Sequence, residues 1–269
     1  MKHFYIYKFT WISKLPPHLN VQLNKADCIY LLNRGGYLLR NVFDFDCQKE
    51  TSFWYVIKDS FGGMEELSSK MRNQVKKSLK TYDVERISPE EFKRIGLSIY
   101  NSAQEKYRVK ASLTTQESIN SMAERADKSE GKIDVWAVYT KEGHKPVAIA
   151  YNTVHDDCCE YNSMKCDPAY QRNSTYPYYG LIYEMNRYYL QELGLRYVSD
   201  GARSITEHSN IQPFLIDKFN FRKAYCHLNV YYKWWFGLAV KMLYPFRKII
   251  SNTKVKSILN MEAMARGEY

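Results

Sequence analysis

The chain has no stretch approaching about 18 consecutive apolar residues, which excludes an ordinary membrane-spanning helix. It has no P-loop and no GxGxxG, so neither common phosphate-cradling fingerprint is present. Its six cysteines include no CxxC and no metal-ligand rhythm, and they read as reduced, mostly buried thiols with no metal expected. Cys226-His227 are neighbours that face opposite ways on a strand, which excludes that pair as a nucleophile and base. After Lys2 come tyrosine, lysine and tryptophan, so the start does not read as a signal peptide, and a cytoplasmic chain is expected. Internal repeats, low-complexity tracts and strong linkers are absent too. Acid is missing from two long stretches. Leu67 to Tyr82 holds Lys70, Arg72, Lys76, Lys77 and Lys80 with no Asp or Glu, and Lys218 to Met261 holds nine Lys/Arg with none. With a net charge of +10, such patches suit phosphates, nucleic acid or anionic lipid; the plainer reading is solvated helix faces.

What is present is an alternation of strands and helices in 269 residues, enough for one large domain or two small ones. Residues 1–60 read as short strands: Ile29-Tyr30-Leu31-Leu32, Tyr37-Leu38-Leu39-Arg40 and Phe53 to Ile57, with Asn33-Arg34-Gly35-Gly36 as a hairpin turn. Met64 to Thr81 predicts a helix: Leu67, Met71, Val75 and Leu79 form a stripe, and Arg72, Lys76 and Lys80 the adjacent cationic row. Ser88-Pro89-Glu90-Glu91 starts a second helix to about Lys106, and Thr115 to Ala126 predicts a third. A meander follows in Ile133–Tyr139, Val147–Val154 and Cys158–Lys165. Then come a helix over Tyr176–Leu193, a strand over Arg196–Ser199 ending at Asp200-Gly201, a helix over about Ser209–Lys218, and a strand over Phe221–Tyr232. Trp234 to Tyr244 reads as a C-terminal helix packed on the sheet or, with Arg247, Lys248, Lys254 and Lys256 after it, as an interfacial segment for an anionic membrane. The order of elements reads as residues 1–130, strands plus a helical block that is either a degenerate first half or a cap, and residues 131–269, a sheet-based core with a helical tail.

This order of elements resembles the GNAT acyltransferase fold over about residues 130–232. Cys166-Asp167-Pro168-Ala169-Tyr170-Gln171-Arg172 resembles the segment after that fold's fourth strand, and Ile216-Asp217-Lys218-Phe219-Asn220-Phe221 the segment before its last strand. Arg72-Asn73-Gln74-Val75-Lys76-Lys77, Val84-Glu85-Arg86-Ile87 and Asp200-Gly201 are similar to elements of the Fem-like branch, non-ribosomal peptidyltransferases of cell-envelope assembly, and extend the likeness over about residues 54–250. The resemblance implies an α/β fold with a mixed, mainly antiparallel central sheet and flanking helices. It further implies transfer of an acyl or aminoacyl group to an amino group of a cell-envelope, peptidoglycan or glycan precursor. The donor would be acyl-CoA or aminoacyl-tRNA. The acceptor would be a small molecule or a lipid-linked glycan or peptide, met at the inner face of the membrane through residues 234–256.

Two departures bear on the donor and the chemistry. The phosphate-loop glycines of the GNAT pattern fall on Thr175 and Pro177, and proline has no N–H for a phosphate. The position of the family's general-acid tyrosine, or of the Fem-type lysine, falls on Ile216. Acyl transfer to an amine needs a base, oxyanion donors and an acid for the leaving group. Glu160 is the first candidate base, followed by Asp200 and His208 at the end of the central strand, with Tyr225 as a proton donor. Arg72, Lys76, Gln171, Arg172, Ser174, Thr175 and Arg203 are the candidate binding residues. Glu160 pairing with a lysine, Asp200 holding a turn and His208 capping a helix are the structural alternatives. A catalytically silent module of the same fold that holds RNA or anionic lipid is the other functional reading.

Overall fold

The computed structural model describes residues 3–19, 21–104, 113–171, 173–205 and 210–269. In chain order the described strands are β1 (Phe4–Tyr7), β2 (Thr10–Ser13), β3 (Leu38–Phe43), β4 (Phe53–Lys58), β5 (Tyr82–Ile87), β6 (Ile133–Thr140), β7 (Pro146–Val154), β8 (Cys158–Cys166), β9 (Tyr197–Ala202) and β10 (Arg222–Tyr232). The helices are α1 (Lys25–Asn33), α2 (Ser69–Thr81), α3 (Pro89–Gln104), α4 (Gln116–Asp127), α5 (Pro168–Gln171), α6 (Pro177–Asn186), α7 (Ile211–Phe219), α8 (Trp234–Leu243) and α9 (Thr253–Arg266). A wider π turn, Arg187–Glu192, prolongs α6.

Two compact units interleave in the sequence. One comprises Met1–Val56, Ala202–Pro213 and Arg222–Tyr269; the other comprises Ile57–Gly201 and Phe214–Phe221. The boundary expected near residue 130 does not coincide with either. The reason lies in pairing: β5 zips antiparallel onto β6 from Tyr82↔Thr140 to Ile87↔Val135, which ties residues before 130 to the meander after it.

In the first unit the strands run in the order β1-β2-β3-β10-β4, with β1/β2 and β3/β10 antiparallel and β2/β3 parallel. Leu38, Phe53, Cys226, Leu228, Met261 and Met264 form one core cluster, packing α9 on this sheet. Ile29 to Leu32, expected as a strand, lies inside α1. Asn24 caps that helix, accepting from the Asp27 N–H while Asp27 accepts from the Asn24 N–H, and Cys28, Leu31 and Leu32 bury one face at helical spacing. The expected hairpin turn is therefore the exit of α1: Arg34 is its C-cap and Gly36, at φ +63°, turns the chain toward β3.

In the second unit the order is β9-β8-β7-β6-β5, antiparallel except for the parallel pair β8/β9. Phe92, Ile95 and Ile99 of α3 and Ile119 and Ala123 of α4 pack with Val135, Ala137 and Ile149 of the sheet. α2 and α6 pack together and onto β5. The helix expected from Met64 starts at Ser69: Gly63–Glu66 forms a separate 3-10 turn, Leu67 is extended, and Ser68 caps α2 through the Met71 N–H, while the stripe buries Met71 and Val75 as its spacing predicts. The mixed, mainly antiparallel sheet with flanking helices matches the expected fold class.

Candidate functional site

The second unit's sheet opens between β8 and β9. Their parallel ladder consists of Cys158↔Tyr197, Cys159↔Val198 and Glu160↔Ser199, and ends there. β8 runs on to Cys166 and stays paired with β7 as far as Ala148↔Cys166. Where the ladder ends, the β7/β8 register shifts: Tyr151 faces Ser163, Asn152 faces Tyr161, and Asn162 is the extra residue of a bulge. A bulge bends its strand and raises the local twist, which gives β8 a physical reason to leave β9 at this point. Past Glu160, the β9-facing backbone groups of β8 are released from the ladder, an edge that can bond a ligand.

Side-chain alternation sorts the candidates onto two faces. Glu160 and its ladder partner Ser199 share one face, and the next residues, Tyr161 and Asp200, share the other. The register thus puts Glu160 and Asp200, the first two candidate bases, on opposite sides of the sheet. On the Glu160 face, His155 Nε2 lies 3.9 Å from Glu160 Oε2, too far for a hydrogen bond, and that nitrogen is buried with no hydrogen-bond partner. Among the described residues, no lysine pairs with Glu160. On the other face, Tyr161 donates to Asn186 Oδ1 at 2.8 Å. Burial, with smaller contributions from Cys159 and Asp200, holds the Tyr161 hydroxyl well above its ordinary pKa, so it stays protonated. Behind it, Tyr189 receives from Trp136 Nε1 (2.9 Å) and Asn152 Nδ2 (3.2 Å) and donates to Asp134 (3.0 Å), a buried polar network that fixes the π turn to the sheet. Burial raises the Asp134 pKa.

The loop 173–176 enters α6 in an unusual way. Ser174 and Tyr176 both sit in the left-handed region, at φ +57° and +60°. Thr175, a candidate binding residue, does not cap the helix: Tyr176 holds the N-cap position without a side-chain cap bond, and the Thr175 hydroxyl pairs with Tyr82 and Asn173 instead. The first turn of α6 has little left to offer an anion. Pro177 has no N–H, the Tyr179 N–H donates to Tyr176 O (2.9 Å), and the Gly180 N–H donates to Ser78 Oγ (3.1 Å). A pyrophosphate cradle of the GNAT type therefore does not fit these residues.

α2 supplies positive charge beside this loop. Bonds from Gln74 and Ser174, then the charges of Lys77 and Lys70, lower the exposed Tyr176 hydroxyl's pKa, and Lys77 Nζ lies 5.9 Å from its ring. Arg72 donates to Leu67 O (3.3 Å) and lies 3.6 Å from Glu65, so it braces its own helix start; Lys76 is exposed. Gln171, the last residue of α5, is exposed as well. Sequence reasoning missed Tyr176, Gln74 and Lys77. The only available signal was that Lys77 adjoins the cationic row, since a left-handed tyrosine has no sequence signature.

Arg203 and Tyr225 belong to the first unit. The Arg203 N–H donates to Trp54 O and its guanidinium to Ser52 O, both at 2.8 Å, and it stacks 4.4 Å from the Tyr269 ring and 5.5 Å from that of Trp54. It lines a cavity of about 650 Å³ with Lys49, Lys223 and Arg266. Tyr225 donates to Glu50 (3.0 Å), and its pKa is raised by desolvation and by that carboxylate, which makes it a poor acid at neutral pH. Ile216 sits inside α7. Arg172 and His208 lie outside the described residues. In the first unit, donor atoms of Asp44, Cys47 and His227 come within 4.8 Å of one another, a grouping that no sequence spacing announces.

No family model matches the chain, and no curated protein matches it. Solved structures do. FemX aligns with a TM-score of 0.52 and 12% identity, covering 82% of this chain and 81% of its own. The chain shares the fold of FemX. This chain also aligns, at a TM-score of 0.50 and 10% identity, with the DUF2156 C-terminal domain of a protein named as a lysylphosphatidylglycerol synthetase from Agrobacterium fabrum, over 89% of this chain and 82% of that one. L-PGS from Bacillus licheniformis gives the same score and identity over 84% and 77%. The Fem-like, GNAT-type sheet expected from the motif order is thus the fold observed. Among the described residues, no helix is long and apolar enough to cross a membrane.

Proposed function

We propose that this chain is a transferase that moves an acyl or aminoacyl group onto the amino group of a cell-envelope precursor. The observation that carries the reading is the end of the β8/β9 ladder at Glu160↔Ser199, which leaves an open strand edge beside a carboxylate. The names borne by the proteins that share the fold, FemX and lysylphosphatidylglycerol synthetase, support a transferase of this kind.

In this scheme the acceptor is a primary amine and the donor an ester. The released β8 amides past Glu160 bond the carbonyl oxygen as it becomes an oxyanion. Glu160 takes the proton from the attacking ammonium, and His155, at 3.9 Å, accommodates it next. The new C–N bond forms as the ester C–O bond breaks, and the leaving oxygen takes a proton. Both substrates bound together need no covalent enzyme intermediate. The pre-satisfied start of α6 favours an aminoacyl ester of tRNA over acyl-CoA, with the α2 cations near Tyr176 meeting phosphates.

The test is mass spectrometry of amino-sugar and peptide acceptors incubated with folded protein and either acyl-CoA or charged tRNA. The expected result is an acylated amine from charged tRNA. No product from either donor overturns the transferase reading. Ile216 and the occupied first turn of α6 favour one second reading, a catalytically silent module that binds RNA or anionic lipid. That reading predicts salt-dependent binding unaffected by Glu160→Gln.

A further inference from the structure

The first unit carries an apolar face that no described residue of the unit covers. The inner side of α8 is ordinary core: Val240, and Tyr244 just beyond it, pack against Leu259 and Ala263 of α9. The outer side is not. Trp234 (82% exposed), Leu238 (55%) and Met242 (65%) recur every fourth residue, and Phe246 (54%) and Ile249 (77%) continue the series past the helix. Single exposed apolar residues are common on soluble proteins, but a contiguous row with a tryptophan at one end marks a binding surface. At about 1.5 Å per residue, ten-residue α8 extends about 15 Å, far too short to cross a bilayer, so any bilayer contact must be along its surface.

Charge selects the occupant. Lys233, Lys241, Lys248, Lys254 and Lys256 flank this row, and no acid occurs between Lys218 and Met261. A second copy of the chain would bring the same cations against themselves. An anionic membrane complements both the apolar row and its basic border. Next to the row, Lys248, Lys256, Thr253 and Asn260 line a cavity of about 520 Å³ at the N-terminal end of α9, where Asn252 caps the helix. Among the described residues, Arg247 of this lining pairs with Glu268 at 3.0 Å, and Lys248 and Lys256 form no ion pair.

We infer that α8 and the turn after it form an in-plane membrane-docking surface that inserts Trp234, Leu238, Met242, Phe246 and Ile249 among acyl chains, while Lys248 and Lys256 hold the phosphate of an anionic lipid. This assignment is independent of the transferase reading and stands or falls without it.

The experiment is flotation of the full chain with vesicles of phosphatidylcholine alone and of phosphatidylcholine mixed with phosphatidylglycerol. The expected result is partitioning to the mixed vesicles, weakened by salt. Trp234→Ala and Leu238→Ser each reduce it roughly tenfold, and Lys248→Gln/Lys256→Gln reduces it by a similar factor. These side chains are exposed, and an unchanged circular-dichroism melt shows that the variants fold. Equal binding to both vesicle types, or binding that survives the apolar changes, overturns the assignment. So does self-association on a sedimentation run that Leu238→Ser abolishes, which would make a second copy the occupant. Retention of an RNA oligonucleotide unaffected by Trp234→Ala, with no vesicle binding, would assign the cations to RNA instead.

Discussion

Gly180→Ala tests how α2 and α6 are held together at the loop that precedes the proposed site. Gly180 is buried, and a Cβ built on it would lie 2.6 Å from Ser78 Oγ and 3.3 Å from Leu79 Cδ2. The same serine oxygen accepts the Gly180 N–H at 3.1 Å. A methyl group there must displace the hydroxyl or push the helices apart. Overpacking costs about 1–3 kcal/mol, and a buried N–H left without its acceptor costs about 1–3 kcal/mol more. Alanine returns roughly 1 kcal/mol of helix propensity, leaving a net loss of about 3 kcal/mol. In a unit of this size that lowers Tm by roughly 10 °C. In a Ser78→Ala background the clashing oxygen is gone and the nearest atom is Cβ at 3.3 Å, so Gly180→Ala then costs far less. Thermal and urea melts of the four proteins complete a double-mutant cycle with a coupling of about 1–2 kcal/mol. A Gly180→Ala melt that overlays the parent, or costs that simply add, would refute the close-approach argument.

Two further outcomes follow from other contacts. Lys58 is 2% exposed and its Nζ lies 3.0 Å from Glu66, so Glu66→Gln strands a buried charge and costs about 3 kcal/mol in a urea melt, whereas Lys58→Met with Glu66→Leu is close to neutral. Tyr176 ionises below the ordinary tyrosine range because Gln74 and Ser174 bond its hydroxyl and Lys77 and Lys70 lie near. A folded-state pKa below the unfolded one means that ionised Tyr176 stabilises the fold above about pH 10. That contribution fades as pH falls through its folded pKa. An ultraviolet difference titration should show one early phenol, absent in Tyr176→Phe and shifted upward in Lys77→Gln.

Legibility in the sequence followed the range of the interaction. The α2 stripe, the Ser88-Pro89 and Thr115 helix starts and the meander strands are set by local periodicity and capping, and they stand where expected. α1 was open to the same reasoning: Asn24 and Asp27 spell a capping box, but Ile29-Tyr30-Leu31-Leu32 looks β-prone, and the box outweighs it. The unit boundary was not legible because β10 completes a sheet with β3, some 190 residues earlier, a pairing no local pattern contains. Around the site, Asp200 could be named from a strand ending in Asp-Gly and Glu160 from its strand's place in the resembled fold, yet their opposite faces depend on register. The bulge at Asn162 is a single inserted residue that leaves the alternation of β8 looking regular. The Ser78–Gly180 contact joins positions about 100 residues apart, so the occupied first turn of α6 could not be foreseen beyond Pro177.

The most direct measurement of the central claim is the single-turnover rate at which charged tRNA loses its aminoacyl group to an amine acceptor, compared between the parent chain and Glu160→Gln. The carboxylate beside the open β8/β9 edge predicts a fall of roughly 10²–10⁴-fold, typical of losing a general base, with the melting temperature unchanged. A glutamine variant that transfers at the parent rate would contradict it.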